Sequence, residues 1–226
     1  MSRSAVFLLL VISQILAMLL ALLGIETLPT NPLGWLLFLT GIAYLIWMGI
    51  LYFNRKERFW ESVLGEVARH EERGDHSSLF IAVGMIALLF SSPVEYIYHS
   101  TILSRNAWMS SIGLGLVTLG AAMLGWAWRT LRKNYSWYPS VKSGQALVQR
   151  GPYRFIRHPI YAGYLLISLG ISLGYTSLAG LTSFLILLLP SMWYRMHVEE
   201  KMLTEHFGDA YRRYASMVKR LIPGVW

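Results

Sequence analysis

Long apolar runs separated by short polar stretches dominate the chain. Six of them, about 5–24, 33–53, 79–98, 108–128, 159–176 and 178–194, approach or reach the roughly 20 residues with which an α-helix crosses a bilayer core. None sustains the period-two alternation of a barrel strand, so the pattern predicts an all-α, polytopic transmembrane bundle of about six spans. Pro32 and Pro159 fall near the first turn of their runs, where a missing N–H costs nothing. "YTSLAG" predicts a tight turn between the last two spans. The first run, about Ala5 to Leu23, exceeds the roughly 7–15 residues of a signal-peptide core, and an uncleaved first span is expected.

Between the spans, two segments carry helical periodicity. In "RKERFWESVLGEVARHEER", Phe59, Trp60, Val63, Leu64 and Val67 recur at i, i+3/i+4 spacing. This predicts a helix near 56–73 that lies in the membrane interface or packs, solvated, on neighbouring loops. In the tail, Gly208 breaks the helix, which resumes with Tyr211, Tyr214, Ala215 and Val218 on one face and runs to Pro223.

Composition agrees. Of the 226 residues, 55% are hydrophobic and 14% charged, with a mean hydropathy of +0.46, against about 25% charged in a soluble domain. The net charge of +8 would fit nucleic acid, but its placement gives another reading. With the N-terminus cytoplasmic, segments 1–4, 54–78, 129–158 and 195–226 hold every Lys and Arg except Arg105. The positive-inside rule then puts both termini in the cytoplasm, and anionic lipid accounts for the charge without nucleic acid. The absence of cysteine excludes disulfides and thiolate nucleophiles. The six histidines show no ligand spacing, so no metal site is expected. "GLGLVTLG" lies inside an apolar run and reads as small-residue helix packing, not a phosphate loop. Glu95, beside Pro93 near the outer end of the third span, reads as interfacial or cavity-lining.

Two polar clusters face the cytoplasm in this topology. The first is Gln145 through Tyr161, which takes in most of "RGPYRFIRHPIYAG". The second, "WYRMHVEEKMLTEHFG", continues the last span. On one helix Arg195 and Glu199 are i, i+4 neighbours, with His206 near the same face and Glu200 pointing elsewhere. From spacing alone that pair reads as a surface ion pair worth a few tenths of a kcal/mol or as two functional side chains. "RFIRHP" likewise reads as a basic collar or as a binding loop, with His158 a possible cap of the fifth span.

Together, "LVQRGPYRFIRHPIYAGYLLISLG" and "RMHVEEKMLTEHFGDAYRRYASMVKRLIP" resemble the isoprenylcysteine carboxyl methyltransferase family, which is related to phospholipid N-methyltransferases. The resemblance covers about 125–226 and rests on both halves occurring in order. It implies an integral membrane enzyme using S-adenosylmethionine in a cytosolic pocket built from the loop before span 5 and the C-terminal helix. By this resemblance Gln145, Ala146, Leu147 and Val148 border the cofactor, while Tyr153, His158, Pro159, Ile160 and Tyr161 bind it more closely. Glu199 is the implied cofactor-binding carboxylate, and Arg195 the substrate-holding arginine. Residues 1–128 then form spans 1–4, and 129–226 the methyltransferase core.

The expected acceptor is a lipidic or prenylated small molecule, with carboxyl O-methylation of a prenylcysteine-like substrate leading. An amino-phospholipid N-methyltransferase is the alternative, followed by a sterol-reductase-like NADPH enzyme and a non-enzymatic scaffold or transporter. Methyl transfer from a sulfonium suits these residues, because in-line displacement needs alignment and neither a covalent nucleophile nor a metal.

Overall fold

The structure, a computed structural model, describes residues 77–98, 107–131 and 146–224. The first two expected spans, the helix near 56–73 and Gln145 lie outside the described residues. The remaining four apolar runs form helices: α1 Ser77–Tyr98, α2 Ala107–Leu131, α3 Pro159–Gly174 and α4 Leu178–Phe207, followed by a short α5, Asp209–Met217. Among the described residues there is no β-strand, only an isolated parallel bridge between Ile156 and Lys219. By length and composition α2 (as Trp108–Leu131) and α4 are long and apolar enough to cross a membrane, while Val83–Tyr96 of α1 and Pro159–Gly174 are shorter apolar helices.

Small residues let α2 and α3 pack antiparallel, backbone against backbone. A Cβ on Gly120 would lie 2.6 Å from the Gly163 carbonyl oxygen, and one on Gly170 would lie 2.7 Å from that of Gly113. Both pairs are seven residues apart on their own helices, so the contact repeats after two turns. Near its far end Ser110 donates to the Gly174 carbonyl at 3.1 Å. The glycine-rich run in the fourth span is thus the packing surface its composition predicts.

Helix α4 is continuous but not uniform. Phe184–Leu188 form a π turn in which Leu189 N–H bonds the Phe184 carbonyl, five residues back. Pro190 follows directly and has no N–H for the carbonyl four residues before it. The widened turn absorbs that defect without breaking the helix. Leu188 of this turn and Met192 beyond it join Leu88 of α1 and Ile171 of α3 in a buried apolar cluster.

Glu95 finds a structural role. Its carboxylate accepts from the Ser177 hydroxyl (2.7 Å), Ala179 N–H (3.0 Å) and Leu178 N–H (3.3 Å), capping the start of α4. Ser177 in turn accepts from Gly180 N–H at 2.8 Å. Four N–H groups at a helix start need partners, and in an apolar surrounding water cannot supply them. Glu95 therefore gives no support to a transport path.

Two boundaries differ from expectation. Helix α3 ends at Gly174, and the turn takes Tyr175 to Ser177, with Thr176 at φ 48°. Helix α5 stops at Met217, well before Pro223, and Val218 is extended (φ −110°, ψ 131°). The chain leaves the helix there because its next residues bond to the loop before α3: Arg157 N–H to Lys219 O (2.7 Å) and His158 N–H to Arg220 O (3.0 Å).

The α2–α3 seam makes a direct prediction. Gly120→Val should destabilise the protein by about 1–3 kcal/mol through overpacking. Gly115→Ala, on the same helix with open space at its Cβ position, should be neutral or stabilising by up to about 1 kcal/mol. Thermal melts in detergent would separate the two, and equal effects would show that the seam is not tightly packed.

Candidate functional site

Three pieces of chain meet where α3 begins and the lower turns of α4 emerge. A span of about 20 residues crosses the bilayer core, so the turns of α4 beyond about residue 197 project past it. The 3-10 turn Gly151–Arg154 and Pro159 at the first position of α3 stiffen the segment between them. Pro152, Tyr153, Ile156, His158 and Pro159 are all buried. Tyr214 of α5 donates to the Tyr153 carbonyl at 2.6 Å, and the tail pairing holds residues 156–158 from the other side.

At the centre lies Glu200. Its carboxylate accepts from Arg157 (Nε, 2.9 Å), Arg220 (Nη2, 2.7 Å; Nε, 3.0 Å) and His158 Nε2 (3.1 Å). Arg157 also donates to the Ala215 and Val218 carbonyls, which joins loop, α4 and tail through one guanidinium. Burial works against the charge on Glu200. The hydrogen bonds from His158 and Arg220, together with Arg157, outweigh it and hold the carboxyl well below the usual carboxylate range.

The expected ligand-facing residues gather beside this cluster. His158 is 3% exposed, occupies the N-cap position of α3 without a side-chain cap bond, and turns its Nδ1 to within 3.8 Å of Glu199 Oε2. Its ring meets the edge of Tyr161 at 5.6 Å. The Tyr161 hydroxyl faces both Glu199 and Arg195, and Tyr164, one helical turn on, also faces Arg195. Arg195 is 6% exposed, so it is an interior residue and not half of a surface ion pair. Glu199 keeps about a third of its side chain open, at 30%.

Other expected positions are placed differently. Ala146, Leu147 and Val148 form an irregular segment that is exposed to half-buried. Ile160 is half-buried in the first turn of α3. His206 is exposed at the end of α4 with its ring on Phe207.

Sequence reasoning overlooked the hub itself. Glu200 does point away from the Arg195–Glu199 face, and where it points is toward Arg157, His158 and Arg220. Arg220 reads in the sequence only as a topogenic charge, and Arg157 only as part of the basic "RFIRHP" segment. The adjacent "EE", with two basic segments able to reach it, was the available signal. Also overlooked was Tyr211, whose buried hydroxyl has no hydrogen-bond partner among the described residues. Burial, and then the nearby Glu200, push its ionisation up, so it stays a neutral phenol.

Comparisons with known proteins bear on this arrangement. The phospholipid methyltransferase family model matches residues 108–210, from α2 into α5. A protein named protein-S-isoprenylcysteine O-methyltransferase B of Arabidopsis thaliana is 25% identical over 185 residues, covering 80% of this chain and 92% of that protein. Its A counterpart is 27% identical over 154 residues, covering 66% of this chain and 78% of that one. The eukaryotic intramembrane Ras methyltransferase, isoprenylcysteine carboxyl methyltransferase, shares the fold with a TM-score of 0.56 at 21% identity, over 92% of this chain and 73% of that one. In sequence and fold the chain is similar to helical methyltransferases. The resemblance to the isoprenylcysteine carboxyl methyltransferase family thus extends from sequence to fold.

The Glu200 cluster predicts an acid-side signature. A carboxyl depressed on folding stabilises the native state above its ordinary value near 4.5, and that contribution is lost as pH falls below it. Melting temperature in detergent should therefore fall steeply between about pH 4.5 and pH 2. Glu200→Gln should cost about 3 kcal/mol at neutral pH and flatten that slope. An unchanged slope in the variant would assign the acid sensitivity to another carboxyl.

Proposed function

We propose that the protein is an S-adenosylmethionine-dependent methyltransferase that esterifies the carboxylate of a prenylcysteine-like lipid. The observation that carries this reading is the convergence of His158, Tyr161, Arg195 and Glu199 at the end of apolar helices. The six-span topology, the cytoplasmic termini and the division into spans 1–4 and a core at 129–226 belong to the same reading, supported by the charge distribution.

The donor set fits the cofactor. Glu199 is a partly open acceptor, Tyr161 offers an aromatic face, and the Tyr211 hydroxyl is buried without a partner among the described residues. An ammonium, ribose hydroxyls and an adenine ring need such groups. Glu199 would take the ammonium or ribose hydroxyls, and Tyr153, His158, Pro159, Ile160 and Tyr161 would surround the rest, bordered by Gln145, Ala146, Leu147 and Val148. When bound, the sulfonium supplies an activated methyl group.

Arg195 orients the acceptor. A guanidinium presents two parallel donors to a carboxylate, and in a buried position that attraction is little screened by water. A carboxylate already carries its attacking lone pair, so no residue has to remove a proton. An ammonium acceptor would need a base. That difference favours O-methylation, whereas the description of the matching family model favours amino-phospholipid N-methylation as the second reading. An apolar acceptor tail would be held by the apolar surface, at about 0.8 kcal/mol per buried CH₂.

Labelled-methyl transfer from S-adenosylmethionine decides between them. The label should enter a prenylcysteine analogue as a base-labile ester; entry into amino-phospholipid alone would establish the second reading. Arg195→Ala should keep cofactor binding and lower turnover about a hundredfold or more. Glu199→Gln should weaken cofactor binding about tenfold, as expected for losing a charge-assisted bond. Binding of NADPH in place of S-adenosylmethionine would sink both methyltransferase readings.

A further inference from the structure

The end of α2 carries a second polar feature. A cleft of about 270 Å³ lies between the last turn of α2 and the start of the 3-10 turn, lined by Arg129, Thr130, Arg150 and Gly151. Gly151 is at φ +60°, and a Cβ there would meet the Thr130 Oγ1 at 2.5 Å, so glycine keeps the two segments close while leaving the cleft open. The Thr130 hydroxyl is committed to the Trp126 carbonyl at 2.8 Å. The two guanidiniums are the remaining donors. Among the described residues no carboxylate pairs with either, whereas Arg157 and Arg220 are engaged by Glu200.

Exposed aromatics fix the depth of this cleft. Trp108 stands at one end of α2, 77% exposed, and Trp126 and Trp128 at the other, 46% and 40% exposed. Eighteen to twenty residues of helix separate them, about 27–30 Å, which matches the hydrocarbon core. Tryptophan concentrates at both borders of that core. Phe155, also exposed, meets Trp126 at 6.2 Å and carries the Arg154 guanidinium 4.4 Å above its ring. Arg129 and Arg150 therefore open at headgroup level, beside rings that sit in the lipid border.

We propose that this cleft is a binding site for the phosphate of an anionic phospholipid headgroup, held between Arg129 and Arg150 with its glycerol end against Trp126 and Phe155. Two arginine forks with no carboxylate partner among the described residues suit a phosphodiester. The aromatic border favours a lipid over a soluble phosphate. The site is separate from the His158–Glu199 cluster and does not depend on the methyl acceptor.

Native mass spectrometry of the full chain, released from mixed phosphatidylcholine and phosphatidylglycerol micelles, tests it. The protein should retain phosphatidylglycerol in preference to phosphatidylcholine. Arg129→Gln with Arg150→Gln should weaken that retention roughly thirtyfold, the expectation for two arginines near a charged surface. Lysine at both positions should preserve most of it, and excess inorganic phosphate should not displace the lipid. Lys201→Gln with Arg213→Gln, both exposed and outside the cleft, should leave it unchanged. Undiminished retention in the glutamine pair, equal loss in the control pair, or displacement by inorganic phosphate would each overturn the site. Should the double glutamine variant melt early, the single variants, each expected to lose about fivefold, carry the test.

Discussion

One carboxylate organises the polar end of this protein. Glu200 gathers Arg157, His158 and Arg220, three groups from the loop before α3 and from the tail, onto a helix that rises out of the apolar bundle. A buried charge is costly unless paired, so folding here is coupled to bringing all of these segments together. Glu199, one residue earlier, does not share that saturation. The doublet is unequal: one carboxylate closes the structure, and its neighbour keeps about a third of its side chain exposed.

The helices beneath supply the rigidity this division needs. Glu95 satisfies the first N–H groups of α4 from α1, and the glycine seam fixes α3 against α2. Between those anchors the π turn before Pro190 sets the phase of the lower half of α4. That phase aims Arg195 and Glu199 at Tyr161. A site built on helix faces holds its geometry better than one built on loops, and here Tyr161, Arg195 and Glu199 all sit on helices.

Much of this was legible in the sequence because bilayer-length apolar runs are a strong, low-ambiguity signal. The helices of spans three to six, the role of "GLGLVTLG" and the break at Gly208 all follow from local pattern. What was not legible depends on long-range pairing. Val218 has a helical neighbourhood and fits the face of Tyr211 and Tyr214, yet backbone bonds to Arg157 and His158 pull the following residues out of the helix. Arg157 and Arg220 carry the same charge as seventeen other topogenic residues, and nothing in their spacing marks them as partners of one glutamate. From spacing alone Arg195 stood open between an exposed i, i+4 pair and a functional side chain, because spacing reports a shared face and says nothing of how deeply that face is covered. Glu95 stayed open between two readings for the same reason: its partners lie about eighty residues away.

The glycine seam has a bearing on traffic. Where two backbones approach so closely that a single methyl group would collide, no alkyl chain can lie between them. The α2–α3 face is therefore shut to any long hydrocarbon guest over at least two helical turns. A lipid acceptor reaching Tyr161 and Arg195 from the bilayer has to arrive along another side of α3, which narrows the possible doorways before any ligand is seen.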